Sequence, residues 1–158
     1  QPSIPFDLAE FDATLVLVRH AEKKGSWREA PLTDEGKKRA LYLKSILEEA
    51  PLKQVWSTDF TRTRQTVQPA AEHHNLSIKI YRGTEQHTLL WKMQEELQGG
   101  LALVCGHQDS VPLLLNTALR QYKYPTFSSD EYSRLFIIAI QKELPVRILE
   151  FSYQESEQ

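Results

Sequence analysis

Two uninterrupted apolar runs stand out along the chain, Leu15-Val16-Leu17-Val18 and Leu101-Ala102-Leu103-Val104-Cys105. Continuous rather than alternating runs of this length are the pattern of strands covered on both faces inside a parallel sheet. Each run stops abruptly at polar residues, Arg19-His20 after the first and Gly106-His107 after the second. Elsewhere the period lengthens. Thr33 is placed as a helix N-cap with Asp34 and Glu35 at the positive dipole end, and Ala40, Leu43, Ile46 and Leu47 follow at helical spacing until Pro51 ends the element near Ala50. Gln54 to Ser57 is a short strand, and Ser57-Thr58-Asp59 caps a helix from about Phe60 to His74. Leu76 to Arg82 alternates and reads as a third strand. A helix over Thr88 to Leu97 is broken by Gly99-Gly100, and Asp109 or Ser110 caps another, with Pro112 tolerated in its first turn.

The remaining segments read as connections and edges. Residues 1–13, with Pro2 and Pro5, are expected as an extended arm, and Tyr122 to Asp130 as a long loop. Arg134 to Ile140 and Val146 to Phe151 are spaced for a hairpin at the sheet edge. The polar tail Gln154 to Gln158 is expected to fray. The order is β-α-β-α-β-α-β-α-β-β, which predicts a three-layer α/β/α fold with a mainly parallel, mixed sheet of about six strands. We expect one domain over 1–158, with its core at about 14–151.

Composition narrows the classes of partner. The 158 residues carry a net charge of −2 and 41% hydrophobic residues, so no overall basic field points to nucleic acid. No apolar stretch is long enough to cross a membrane. Cys105 is the sole cysteine, so no internal disulfide forms. The chain starts Gln1-Pro2-Ser3 without an initiator methionine. A removed signal peptide would place it in the periplasm or outside the cell, and a trimmed start would leave it cytoplasmic.

Parallel strands bring their carboxyl ends to one sheet edge, where ligands bind in such folds. Arg19-His20, Ser57 leading to Arg62, and Gly106-His107 all meet there. Arginine forks match phosphate oxygens bidentately, and a neutral imidazole can attack phosphorus. The pattern around these residues resembles the histidine phosphatase superfamily, the phosphoglycerate-mutase-like fold. Val18-Arg19-His20-Ala21-Glu22 is similar to its Arg-His-Gly nucleophile motif, with alanine in place of glycine. Leu32-Thr33-Asp34-Glu35-Gly36-Lys37-Lys38-Arg39-Ala40 resembles its Leu-Thr-x-x-Gly-x-x-Arg/Gln-Ala segment. Ser57 to Thr66 resembles the segment with the second arginine, here Arg62 followed by Gln65-Thr66, and Gly106-His107 resembles the second-histidine motif. The likeness runs from about residue 14 to residue 150.

The resemblance implies a phosphatase of the histidine acid phosphatase type, hydrolysing a phosphomonoester or a phosphohistidine without metal or organic cofactor. In that scheme His20 becomes phosphorylated, and a backbone carbonyl orients its other ring nitrogen. Arg19, Arg62 and His107 bind the phosphoryl oxygens, Gln108 adds an amide contact, and Glu85 is the nominee for leaving-group acid. Glu22 and Asp109 are further carboxylates near the site, Asp109 being the better helix cap. Lys23, Ser26, Trp27 and Arg28 occupy the loop after the nucleophile. Arg64 and His87 are read as rim or surface residues, His73-His74 as a helix end rather than a metal site, and Cys105 as an inert core thiol. The expected partner is a phosphorylated small molecule or phosphoprotein. Two alternatives stay open: a non-catalytic phosphate- or phosphoprotein-binding module, and a phosphoglycerate-mutase-type phosphotransferase, for which 158 residues leave little room.

Overall fold

The computed structural model describes residues 7–142 and 146–154. Its strands are β1 (Ala13–Arg19), β2 (Leu52–Ser57), β3 (Ile78–Ile80), β4 (Gly100–Gly106), β5 (Arg134–Ile140) and β6 (Arg147–Ser152). Its helices are α1 (Asp34–Ile46), α2 (Thr61–His73), α3 (Gln86–Leu97) and α4 (Ser110–Leu119). The strands form one sheet in the order β3-β2-β4-β1-β5-β6. β1 to β4 run parallel, β5 runs antiparallel to β1, and β6 antiparallel to β5. This is the mixed three-layer α/β architecture expected from the sequence.

The two apolar runs are β1 and β4, hydrogen-bonded side by side in the sheet centre with Val18 opposite Cys105 and Arg19 opposite Gly106. Every residue of both strands is buried. Successive side chains point to opposite faces. Leu15 and Leu17 join Leu89, Met93 and Leu114 under α3 and α4, while Val16 and Val18 join Leu43, Leu47 and Val67 under α1 and α2. Two helical layers demand apolar residues on both faces, which is why neither run alternates.

Two details differ from the sequence reading. β3 is confined to Ile78–Ile80 rather than spanning Leu76 to Arg82. It is an edge strand with a single neighbour, and Leu76 donates its N–H to Ala71 instead. In place of a fully extended arm, Leu8–Glu10 form a 3-10 turn capped by the Asp7 side chain; residues 1–6 lie outside the described residues. The two strands of the hairpin pair as expected; residues 143–145 between them and the tail from 155 lie outside the described residues.

The loop from β1 to α1 is bound down along its length. The carbonyl of Glu22 accepts from Thr33 N at 2.9 Å, and Thr33 Oγ1 caps α1 by accepting from Gly36 N at 3.0 Å. A Cβ on Gly36 would land on that same Glu22 carbonyl. Glycine here keeps the first turn of α1 against the loop that follows β1. Gly36→Ala should therefore destabilise the fold by about 1–3 kcal/mol through overpacking. Urea denaturation would show it as a lower midpoint at unchanged slope; an unchanged midpoint would mean that α1 can back away freely.

Candidate active site

His20 follows β1 directly, and its N–H extends the β1–β4 ladder to Gly106 O at 2.8 Å. Its ring Nδ1 lies 2.8 Å from the Ala21 carbonyl. A carbonyl only accepts, so Nδ1 carries the proton and Nε2 keeps its lone pair. Ala21 is in turn held through its own N–H, which donates to Thr66 Oγ1 at 2.9 Å, and Leu32 N donates to Gln65 Oε1 at 2.9 Å. Glu22 forms a two-point pair with Arg39, Nε–Oε1 at 2.8 Å and Nη2–Oε2 at 3.0 Å, while Arg39 Nη1 donates to the Tyr153 carbonyl at 2.6 Å. Burial alone would raise the Glu22 carboxyl, yet the Arg39 hydrogen bonds prevail and hold it below its ordinary value.

Arg19, His20, Arg62 and His107 converge on one open cavity of about 1330 Å³, together with Gln108. The imidazoles of His20 and His107 approach edge-on with centroids 5.5 Å apart. Arg19 Nη1 donates to the carbonyls of Glu131 at 2.7 Å and Ser128 at 3.3 Å, and Nη2 to Gln108 Oε1 at 3.2 Å. Its guanidinium lies 4.1 Å from the Tyr132 ring centre. Arg62, in the first turn of α2, donates from Nη1 to the Trp27 carbonyl at 3.0 Å and sits over Phe60. In both arginines the buried Nε–H has no acceptor among the described residues. Guanidinium groups held by backbone carbonyls, with donors to spare, suit an oxyanion.

The electrostatics keep both imidazoles neutral. Burial lowers His20 to about 3, with Arg19, His107 and Arg62 adding to the shift against the pull of the Ala21 carbonyl. Burial likewise lowers His107 to about 4, helped by Arg62. Lys23, which lines the cavity, is pulled down by burial and by the neighbouring Arg62 and Arg19. The cavity therefore concentrates positive charge around two uncharged rings, the protonation state a histidine nucleophile needs.

Not every expected residue is brought there. Glu85, the expected proton donor, is exposed at the N-terminal boundary of α3 and lines a smaller neighbouring cavity with Arg82, Thr88 and Lys92. Edge strand β3 ends at Ile80, and Tyr81 to Thr84, rather than Glu85, face the main cavity. The two carboxylates that do line it are engaged: Asp59 with Arg28 and Arg64, Asp109 with the N–H of Ser110. Arg28 lines the cavity as well, whereas Trp27 is exposed and contributes its carbonyl. His73 and His74 sit against the carbonyls of Glu48 and Leu47 at the end of α1, and Cys105 is buried in the core with its thiol pushed up by burial.

The sequence reading missed Thr58, which lies 2.8 Å from His107 Nε2, Ser110, whose Oγ accepts from His107 N at 2.8 Å, and Tyr132. Thr58 was visible beside the arginine segment. Tyr132 belongs to an irregular loop and carried no pattern.

Residues 15–85 match the family model described as histidine phosphatase superfamily (branch 1), a span that holds Arg19, His20 and Arg62 and ends before His107. Solved histidine phosphatase structures share the fold. The protein histidine phosphatase SixA, solved with tungstate, has a TM-score of 0.71 at 18% identity, covering 88% of this chain and 96% of its own. Residues 15–85 thus resemble that superfamily, and the chain shares the fold of its solved members. YhfR of Bacillus stearothermophilus superposes with a TM-score of 0.71 at 15% identity, covering 86% and 95% of the two chains. A mycobacterial glucosyl-3-phosphoglycerate phosphatase does so at 0.69 and 11% identity, covering 89% and 99%. No curated protein matches the sequence.

The depressed histidines carry a consequence for stability. Between the ordinary imidazole value of 6.5 and the folded values of about 4 and 3, the unfolded chain binds protons that the folded chain refuses. Stability must then rise with pH across this window and be lost as pH falls through it. Urea midpoints at about pH 7 and pH 5 should show a larger acid loss for the parent than for the His20→Gln/His107→Gln double variant. Equal losses would show that these rings titrate normally.

Proposed function

We propose that this protein belongs to the histidine phosphatase superfamily and is a phosphatase that hydrolyses a phosphomonoester, or a phosphohistidine, through a covalent phosphohistidine on His20, without a metal ion. One observation carries the reading: His20 donates from Nδ1 to the Ala21 carbonyl, so that Nε2 meets the cavity as a free lone pair beside two arginines. In the first step the Nε2–P bond forms and the bond from phosphorus to the leaving group breaks, P–O in an ester or P–N in phosphohistidine, its electron pair leaving on that oxygen or nitrogen. In the second a water oxygen bonds to phosphorus, the Nε2–P bond breaks, and phosphate departs. Arg19 and Arg62 hold the phosphoryl oxygens and offset the charge spread over them in the transition state. Gln108, hydrogen-bonded to Arg19, fixes that guanidinium and faces the same oxygens.

The leaving oxygen takes its proton from outside the carboxylate set, since Asp59 and Asp109 are engaged and Glu85 lies in the adjoining cavity. This favours esters with good leaving groups and phosphohistidine, whose leaving nitrogen is readily protonated. The open cavity admits a phosphorylated side chain of a protein as well as a small ester. SixA acts on phosphohistidine in proteins, according to its name, and the mycobacterial relative on glucosyl-3-phosphoglycerate.

Rapid alkaline quench with an activated aryl phosphate in excess chelator, followed by peptide mapping, should place phosphate on His20. His20→Ala should abolish the adduct. Arg62→Ala should slow its formation by about 10²–10³, the usual loss when one preorganised charge donor is removed. Phosphate bound without ester turnover would instead favour the binding module, and loss of activity in chelator would overturn the metal-free mechanism.

A further inference from the structure

The hydrogen-bond arrangement around His107 specifies which of its nitrogens carries a proton. Thr63 Oγ1 lies 3.0 Å from the Thr58 carbonyl and 3.0 Å from the Phe60 carbonyl, and both can only accept. The single hydroxyl proton of Thr63 therefore goes to one of these carbonyls. Toward Thr58 Oγ1, 2.9 Å away, Thr63 offers a lone pair, so Thr58 donates its own proton there. What Thr58 Oγ1 presents to His107 Nε2, at 2.8 Å, is again a lone pair. A ring nitrogen facing an acceptor must carry hydrogen. Thr58 is 3% and Thr63 0% exposed, so water does not enter this chain of bonds.

We propose that Thr58, backed by Thr63, is a positioning residue that holds His107 in its Nε2–H tautomer, leaving Nδ1 as the nitrogen that meets the phosphoryl group. Nδ1 makes no hydrogen bond to the described residues, and the His107 ring lines the cavity beside His20. The unbound site thus turns a lone pair, not a donor, toward the incoming oxygens. A fully deprotonated oxyanion is accepted only if one proton comes to lie between its oxygen and Nδ1. Arg62, Arg19 and Lys23 face this ring and oppose its protonation, Asp109 favours it, and the neutral His20 and Phe60 rings pack beside it. A bound oxyanion offsets the three cations and tips the balance toward uptake.

The proposal rests on the phosphatase reading only for the identity of the ligand, and its first test needs no turnover. Long-range proton–nitrogen NMR of the free protein should show His107 protonated at Nε2 in the parent and in Thr58→Ser, and redistributed toward Nδ1–H in Thr58→Val. A proton on Nδ1 of the parent, or an unchanged tautomer in folded Thr58→Val, would overturn it. Tungstate carries no proton at neutral pH. Its binding, followed by calorimetry in two buffers of different ionisation enthalpy, should take up about one proton per site in the parent and none in His107→Gln. Binding to the parent without uptake overturns the coupling. On an activated aryl phosphate, Thr58→Val should lower kcat about tenfold, with the activity restored by Thr58→Ser. The expected spectra in a protein that hydrolyses no ester would uphold the positioning role while removing the phosphatase reading.

Discussion

The hydrogen bond from His20 Nδ1 to the Ala21 carbonyl is the contact on which the rest of the site depends. It joins neighbouring residues, so its geometry survives only while the loop that follows β1 is held still. Thr66 fixes the Ala21 amide, Gln65 the Leu32 amide, and Thr33 the Glu22 carbonyl, while Gly36 lets α1 lie against that carbonyl. Arg39 then links Glu22 to the carbonyl of Tyr153 just past β6. Five residues, Thr33, Gly36, Arg39, Gln65 and Thr66, together keep one imidazole in one orientation.

A second constraint is electrostatic. Burial, with Arg19 and Arg62 beside it, lowers the imidazoles of His20 and His107 well below their ordinary range, and Lys23 adds to the shift at His107. Positive charge is thereby supplied by guanidinium groups that keep their protons, while His20 keeps a lone pair on Nε2. Backbone carbonyls of Trp27, Ser128 and Glu131 orient the guanidinium groups without neutralising them. Carboxylates in those positions would hold the same geometry while cancelling the field.

The chain order of elements, the central pair of strands and the convergence of Arg19, His20, Arg62 and His107 at one sheet edge were legible in the sequence because each has a local signature. Double-sided burial removes alternation from β1 and β4, and polar residues at the strand ends mark the functional edge. Glu85 was misplaced because its position depends on where a three-residue edge strand stops, which no periodicity records. Tyr132, together with the Ser128 and Glu131 carbonyls, was invisible for a related reason. These groups reach Arg19 from an irregular loop more than a hundred positions along the chain, and no pairing of that range leaves a trace in local spacing.

The sheet order has a consequence for how the molecule comes into being. β1 and β2 are separated in space by β4, so residues 15–85, the span that carries the family match, have no direct pairing between their two principal strands. Ala13 meets Gly100, and Leu52 meets Leu101, only after α3 has been laid down. Parallel pairings of such sequence separation give a high contact order and slow closure of the chain. The strand that brings His107 beside His20 is thus also the one that completes the core. An incompletely folded chain would leave His20 at the end of an unpaired strand edge, without His107 and without the burial that keeps its imidazole neutral.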